Sequence, residues 1–283
     1  METKVSSETK EVIISYDRPT VIIGERINPT GRKKLTAALK EGNLDIIKNE
    51  ALQQVEAGAA ILDCNVNAQG VDDVKTLPEA IKLIMDTVDV PICIDSPNPD
   101  ALEAALKVYK GKALVNSVSG EKHSLERILP LIKEYGAAVI GLAQDDEGIP
   151  KTTEKRVANA HKICEAADKI GIPREDIVID VMTYAIGAEA KAGKDVLDAL
   201  RQIRMELGLN MTMGASNISF GMPDRVLLNS AWIAMVIEAG GTALIADAAR
   251  VMPTVLSADL VLGRDRFARR YLEGHRKRQA AQG

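Results

Sequence analysis

Short apolar runs in this chain end, one after another, in acids and amides. Glu25, Arg26 and Asn28 follow Val21 to Gly24; Asp63 and Asn65 close Ala60 to Asn65; Asp95 closes Pro91 to Asp95; Asn116 closes Ala113 to Asn116. Asp180 ends Ile177 to Asp180, Ser216 and Asn217 end Met211 to Asn217, and Asp247 follows Thr242 to Ala246. One Asp, Asn or Ser in such a place is explained by local capping, because these side chains accept the orphan N–H groups of a following helix. The repetition goes further, since a loop can place its cap several residues later. Carboxylates accept hydrogen bonds, and carboxamides both donate and accept. Lys and His are nearly absent from these ends, which makes them poor for a bare phosphate and suited to a flat heterocycle rich in N–H and carbonyl groups. A pterin fits, because its aminopyrimidinone edge presents adjacent N–H donors that one carboxylate accepts in pairs.

The runs that carry these groups number eight once Ala137 to Ala143 is included, and segments with apolar residues at helical spacing separate them. Their continuous hydrophobicity is that of strands buried on both faces, as in a parallel sheet covered by helices. Ile81, Ile84, Met85 and Val88 form one helical stripe and Leu102, Ala105, Leu106 and Tyr109 another. Asn98 followed by Pro99 reads as a helix start, and Gly111 as the close of that helix. Eight strand–helix repeats predict a (β/α)8 TIM barrel, whose active sites lie where strands end. A doubly wound sheet is the alternative, but Gly24-Glu25-Arg26 is not a glycine-rich turn for a pyrophosphate. The expectation is one domain over residues 1–283, with an extension at 1–20 and a basic helix or tail at 264–283.

A formal net charge of -4 excludes the concentrated basic face that a nucleic-acid partner requires. The start is polar and the longest apolar stretches, such as Ala231 to Ile237, are too short to span a bilayer, so a cytoplasmic protein without a membrane partner is expected. Cys64, Cys93 and Cys164 are isolated from one another and read as buried thiols rather than a disulfide frame or zinc site. His161 and His275 read as surface residues, and His123 alone falls near a strand end. Trp232 and Met235 read as helix core or subunit contacts.

The segments Ile23-Gly24-Glu25-Arg26-Ile27-Asn28, Asp63-Cys64-Asn65, Ile94-Asp95-Ser96, Val115-Asn116-Ser117, Ile179-Asp180 and Ser216-Asn217-Ile218-Ser219-Phe220-Gly221 resemble, in this order, the pterin-binding methyltransferases. That family includes methyltetrahydrofolate:corrinoid methyltransferases and the folate module of cobalamin-dependent methionine synthase. The resemblance spans about residues 21–250. It implies a TIM barrel, usually a homodimer, that moves a methyl group between N5 of tetrahydrofolate and the cobalt of a cobalamin carried by a corrinoid protein. By the same resemblance Asp95, Asn116 and Asp180 hold the pterin, Asn217 lies beside N5, and Glu25 and Arg225 complete the site. Asp95 and Asn217 are the implied catalytic pair, with no metal on this chain. Phe220 departs from the family members that act on corrinoid/iron-sulfur proteins, which carry Gln there. Dihydropteroate synthase shares the fold, but its lysine-bearing segment and Arg-x-His are replaced here by Ser216 to Phe220 and by Ala246 to Arg250.

Two rivals follow from the same residues. Glu25, Asp63 and Asp95 could serve a metal-dependent lyase or aldolase as ligands, and the chain could be a non-catalytic folate-binding subunit of a corrinoid complex.

Overall fold

In the computed structural model, which describes residues 1–280, the expected N-terminal extension folds as an antiparallel hairpin of β1 (Thr3–Ser6) and β2 (Glu11–Ile14). The eight apolar runs then form β3 (Val21–Ile27), β4 (Ile61–Asn65), β5 (Ile92–Asp95), β6 (Leu114–Ser119), β7 (Ala138–Leu142), β8 (Ile177–Asp180), β9 (Asn210–Thr212) and β10 (Ala243–Ala246). They are parallel and ordered β10-β3-β4-β5-β6-β7-β8-β9. Hydrogen bonds from Ala215 N to Ile245 O (3.0 Å) and from Ile245 N to Met213 O (2.9 Å) join the two ends. The chain is a (β/α)8 TIM barrel.

Among the described residues ten α-helices wrap it: α1 (Lys33–Lys40), α2 (Asp45–Glu56), α3 (Asp73–Thr87), α4 (Pro99–Val108), α5 (Lys122–Tyr135), α6 (Thr153–Ile170), α7 (Ala192–Leu207), α8 (Arg225–Ala239), α9 (Ala248–Val261) and α10 (Arg269–Ala280). Asn98 caps α4 as predicted, its side chain accepting from Asp100 N with Pro99 in the first turn. Gly111 does not close that helix, which ends at Val108. It lies where β1 crosses, at a φ of +122°, and a Cβ there would meet the Ser6 carbonyl oxygen at 2.2 Å. The predicted basic tail is α10 and its approach; residues 281–283 lie outside the described residues. Among the described residues no helix is long and apolar enough to cross a membrane.

Alternation along the strands divides the core into two bodies. Outward residues such as Ile22, Leu62, Ile94, Val115, Val139 and Ile179 meet the helices. Inward residues, among them Val21, Ile23, Ile61, Cys93, Leu114, Ile140 and Val178, fill the barrel together with Val5, Val12 and Ile14 of the hairpin. The hairpin therefore plugs the end of the barrel opposite the mouth, and Asn210 Nδ2 fastens it through the Ile14 carbonyl at 2.9 Å. Ile14 is fully buried in this plug. Ile14→Ala is expected to cost about 2–5 kcal/mol, read as a lowered midpoint in urea unfolding.

Candidate active site

The period of two that fills the barrel with apolar residues also aims the polar ones. Ile23, Ile61, Cys93, Leu114 and Val178 belong to the interior cluster. Two residues further along their strands stand Glu25, Asp63, Asp95, Asn116 and Asp180, on the same inward face. Strand register puts Asn65 beside Asp95, and Asp95 beside Asn116. Asp63 pairs with Cys93, one layer below that row. Asp63 is thus a floor residue, 1% exposed, and Asn116 Nδ2 donates to its Oδ1 at 3.4 Å. Its other oxygen has no hydrogen-bond partner among the described residues.

Four carboxyl groups in one dry mouth cannot all ionise cheaply. Burial raises Asp63 well above the usual carboxylate range, with Asp95 and then Glu25 adding repulsion. Asp95 is pushed up to about 6 by burial, against a hydrogen bond from Asn65. Burial carries Asp180 up to about 7; the backbone N–H of Met182, 2.8 Å from Oδ1, opposes the rise and the charge of Glu25 adds to it. Glu25 also rises to about 7, through burial and then Asp95, while the Asn28 amide at 3.4 Å partly offsets both. These acids hold protons well above the ordinary carboxylate range, Asp95 less far than Glu25 and Asp180, and give them up readily when N–H donors or a positive charge come close.

A cleft of about 240 Å³ opens beside Asp95 and Asn116, with Ser96, Ser117, Leu142 and Gln144 in its walls. It reaches the pair from the β5 to β7 side; Glu25, Asp180 and Asn217 do not line it. Asn217 lies on the rim. β9 is shorter than the predicted run and ends at Thr212, after which the chain enters a single 3-10 turn, Asn217–Ser219. The Asn217 side chain is exposed and folds back over Gly214, where a Cβ would come within 2.7 Å of its Nδ2.

Arg225 is not among the acids. Its guanidinium donates to Ser219 Oγ and to the Ser216 carbonyl, both at 3.0 Å, and lies 5.8 Å from the Phe220 ring. Arg225 thereby holds the turn that carries Asn217. Arg26 and Asp247 face each other at 3.5 Å, and Glu50 and Arg250 extend the pair into a rim network, so these two strand-end charges are matched within the protein. His123 is exposed in the cleft beside Asn116, His161 pairs with Glu206 at 2.8 Å, and His275 is exposed. All three cysteines are buried and free. Among the described residues no group of three or more His, Cys, Asp or Glu is arranged to hold a metal ion.

Reasoning from the sequence named the inward acids and placed Asn65 at a strand end but gave it no role at the site, although its place two residues beyond inward Asp63 was readable from alternation. Gly214 gave no signal, since its role depends on how the Asn217 side chain folds back.

The fold and its mouth define the chain as an α/β-barrel protein with an inward row of acids and amides at the C-terminal ends of its strands. Residues 24–247 match the family described as pterin binding enzyme, and the chain belongs to that family. A methylcorrinoid:tetrahydrofolate methyltransferase of Eubacterium limosum is 31% identical over 267 residues, which cover 91% of this chain and 96% of that protein. Methionine synthases of Mycobacterium tuberculosis and Mycobacterium leprae are 29% and 30% identical over 89% of this chain, which spans 22% of their length. Among solved structures, the 7,8-dihydropteroate synthase of Vibrio fischeri superposes with a TM-score of 0.69 at 19% identity, covering 93% of this chain and 99% of that one. A Yersinia pestis dihydropteroate synthase gives 0.70 at 15% identity, covering 93% and 100%. These structures share the fold.

Proposed function

We propose that this chain is an enzyme that moves a methyl group between N5 of tetrahydrofolate and the cobalt of a corrinoid carried by a partner protein. The observation that carries the reading is the inward set of Asp95 and Asp180 at the ends of β5 and β8 and Asn116 within β6, beside Asp95 in register, with one exposed amide, Asn217, on the rim above. The end-to-end likeness to a protein named as a methylcorrinoid:tetrahydrofolate methyltransferase supports it.

A reduced pterin presents N–H donors along its edge, and a set built of carboxylates and carboxamides receives them. Asp95, Asn116 and Asp180 hold the ring, and Glu25 adjoins them. The corrinoid, on its own protein, supplies the cobalt that gives or takes the methyl group. Breaking the N5–methyl bond leaves a poor amine leaving group unless N5 is protonated or hydrogen-bonded as charge develops. Asn217 offers that hydrogen bond and orients the ring. It has no proton to give, so the proton comes from solvent or along water. An ionised Asp95 favours positive charge on the nearby ring. Phe220, 71% exposed on the rim, and the open mouth meet the corrinoid protein. A homodimer fits the exposed Val226, Leu227 and Met235 of α8, while Trp232 is buried in the helix layer. The setting is the cytoplasm.

Calorimetric titration with tetrahydrofolate and its methyl form tests the first half, and no heat with either sinks the reading. Chelator-treated protein is then mixed with a methylated corrinoid protein, and demethylation is followed by the corrinoid absorbance. Folate binding without exchange favours the non-catalytic subunit; dependence on added metal favours the lyase. A sharper test is Gly214→Ala. Its backbone tolerates alanine, but the new Cβ displaces the Asn217 amide, so methyl transfer is expected to fall roughly 10-fold or more with folding intact. Unchanged transfer removes Asn217 from its place.

A further inference from the structure

Arg156, in the second turn of α6, is fully buried, and among the described residues no acid lies within ion-pair distance of it. A buried guanidinium without a counter-ion is expensive, and an apolar side chain of similar length would fill the space at lower cost. What Arg156 has instead is main-chain carbonyls: Nε donates to Val181 O at 2.9 Å and Met182 O at 3.2 Å, and Nη1 donates to Thr152 O at 3.1 Å. The first two belong to the residues that directly follow Asp180. Met182 adopts a left-handed φ of +54°, which an unbranched L side chain rarely takes without outside support. That conformation delivers the Met182 N–H to Asp180 Oδ1 at 2.8 Å. On the other side, Asn159 Nδ2 of the same helix donates to Ala143 O at 3.3 Å, and Ala143 N donates to the Asp180 carbonyl at 2.8 Å. Both backbone segments that hold Asp180 are therefore fastened from α6.

We propose that Arg156 is a positioning residue for Asp180, acting through the carbonyls of Val181 and Met182 to keep the carboxyl of Asp180 aimed into the mouth. Its importance for ligand rests on the folate reading above; its effect on the Met182 turn does not. Arg156 touches no reacting atom, so its effect passes through Asp180 and shows as coupling to it.

The test has two arms. In ligand-free protein, Arg156→Met is expected to speed hydrogen exchange at the Met182 amide about 10-fold or more while amides of β3 to β5 keep their wild-type rates. Arg156→Lys, which retains a buried cation with fewer fixed donors, is expected to fall between. In the second arm, Arg156→Met weakens tetrahydrofolate binding roughly 10-fold in the wild-type background and less than about 3-fold in Asp180→Asn, because the carboxylate that Arg156 positions is already gone. Wild-type exchange at Met182, or equal losses in the two backgrounds, overturns the proposal. If the wild type binds no tetrahydrofolate, the functional reading fails and the exchange arm still decides the role of Arg156. Should Arg156→Met not fold, Arg156→Lys carries both arms with the same signs.

Discussion

Asn217→Ala is expected to lower methyl transfer about 10- to 1000-fold, the range for losing one donor aimed at charge that develops in the transition state. Binding of tetrahydrofolate should weaken far less, because the proposed function gives the hold on the ring mainly to the inward residues of β5, β6 and β8. The variant is a clean one. The Asn217 side chain is exposed on the rim and makes no hydrogen bond to the protein among the described residues, so its removal leaves little behind that is unsatisfied. Single-turnover transfer with saturating methyl-folate and a corrinoid protein isolates the chemical step, and titration calorimetry gives the affinity. If rate and affinity fall together, Asn217 is a plain binding residue and the hydrogen bond to N5 is not differential. If neither falls, the polarising group lies elsewhere on the rim. The Gly214→Ala protein separates these outcomes further, since it keeps the amide and changes only where it points.

The strands were legible because a parallel barrel buries both faces of each strand, which leaves uninterrupted apolar runs such as Ile177-Val178-Ile179. Their polar ends were legible for the same reason: a carboxyl at Asp95 or Asp180 stands out against three apolar neighbours. Depth was the part most easily missed. Asp63 and Asn65 look equivalent as strand-end residues, yet one inward step along β4 separates a floor acid bonded to Asn116 from an amide level with Asp95. The hairpin at the N terminus was illegible because Thr3–Ser6 and Glu11–Ile14 are short and half polar, and their stability comes from plugging a barrel that the local sequence does not mention. The reach of β9 was overdrawn, since Gly214-Ala215-Ser216 continues an apolar stretch by composition while its backbone leaves β8 after Thr212 and meets β10 only through the single bridge of Gly214 to Ile245. Arg225 illustrates a different limit. A resemblance carries over a residue type, and the structure adds what its side chain touches: the guanidinium donates to Ser216 and Ser219 in the turn that carries Asn217. Arg156 was invisible for want of any local signal: an arginine in the second turn of a helix ordinarily meets solvent.

Asp180→Asn is expected to weaken tetrahydrofolate binding roughly 100-fold, the loss of about 3 kcal/mol typical of a charged acceptor removed from buried N–H donors. The same change should stabilise the ligand-free protein above neutral pH. In the unfolded chain the Asp180 carboxyl ionises near its ordinary 3.8, whereas in the folded chain burial holds it up to about 7. Between those values the folded protein keeps a proton that the unfolded chain has lost, so stability falls as pH rises through the interval. Asparagine has no proton to release, and its Oδ1 can still accept from Met182 N. From pH about 4 to pH about 8 the difference in unfolding free energy should therefore swing by roughly 3–4 kcal/mol in favour of the variant. Glu25 and Asp95, also raised, remain in both proteins; Glu25 loses a repelling neighbour in the variant, a shift of the same sign. Urea unfolding at several pH values reads the swing, and parallel profiles for the two proteins mean that Asp180 ionises as an ordinary surface acid. Full folate affinity in the variant means that Asp180 does not hold the ring. Where both expectations are met, the acids of the mouth destabilise the empty barrel, and a ligand that brings N–H donors or positive charge among them removes that penalty. Tetrahydrofolate should then raise the melting temperature of the wild type more at pH 8 than at pH 5, and that pH dependence should shrink in Asp180→Asn.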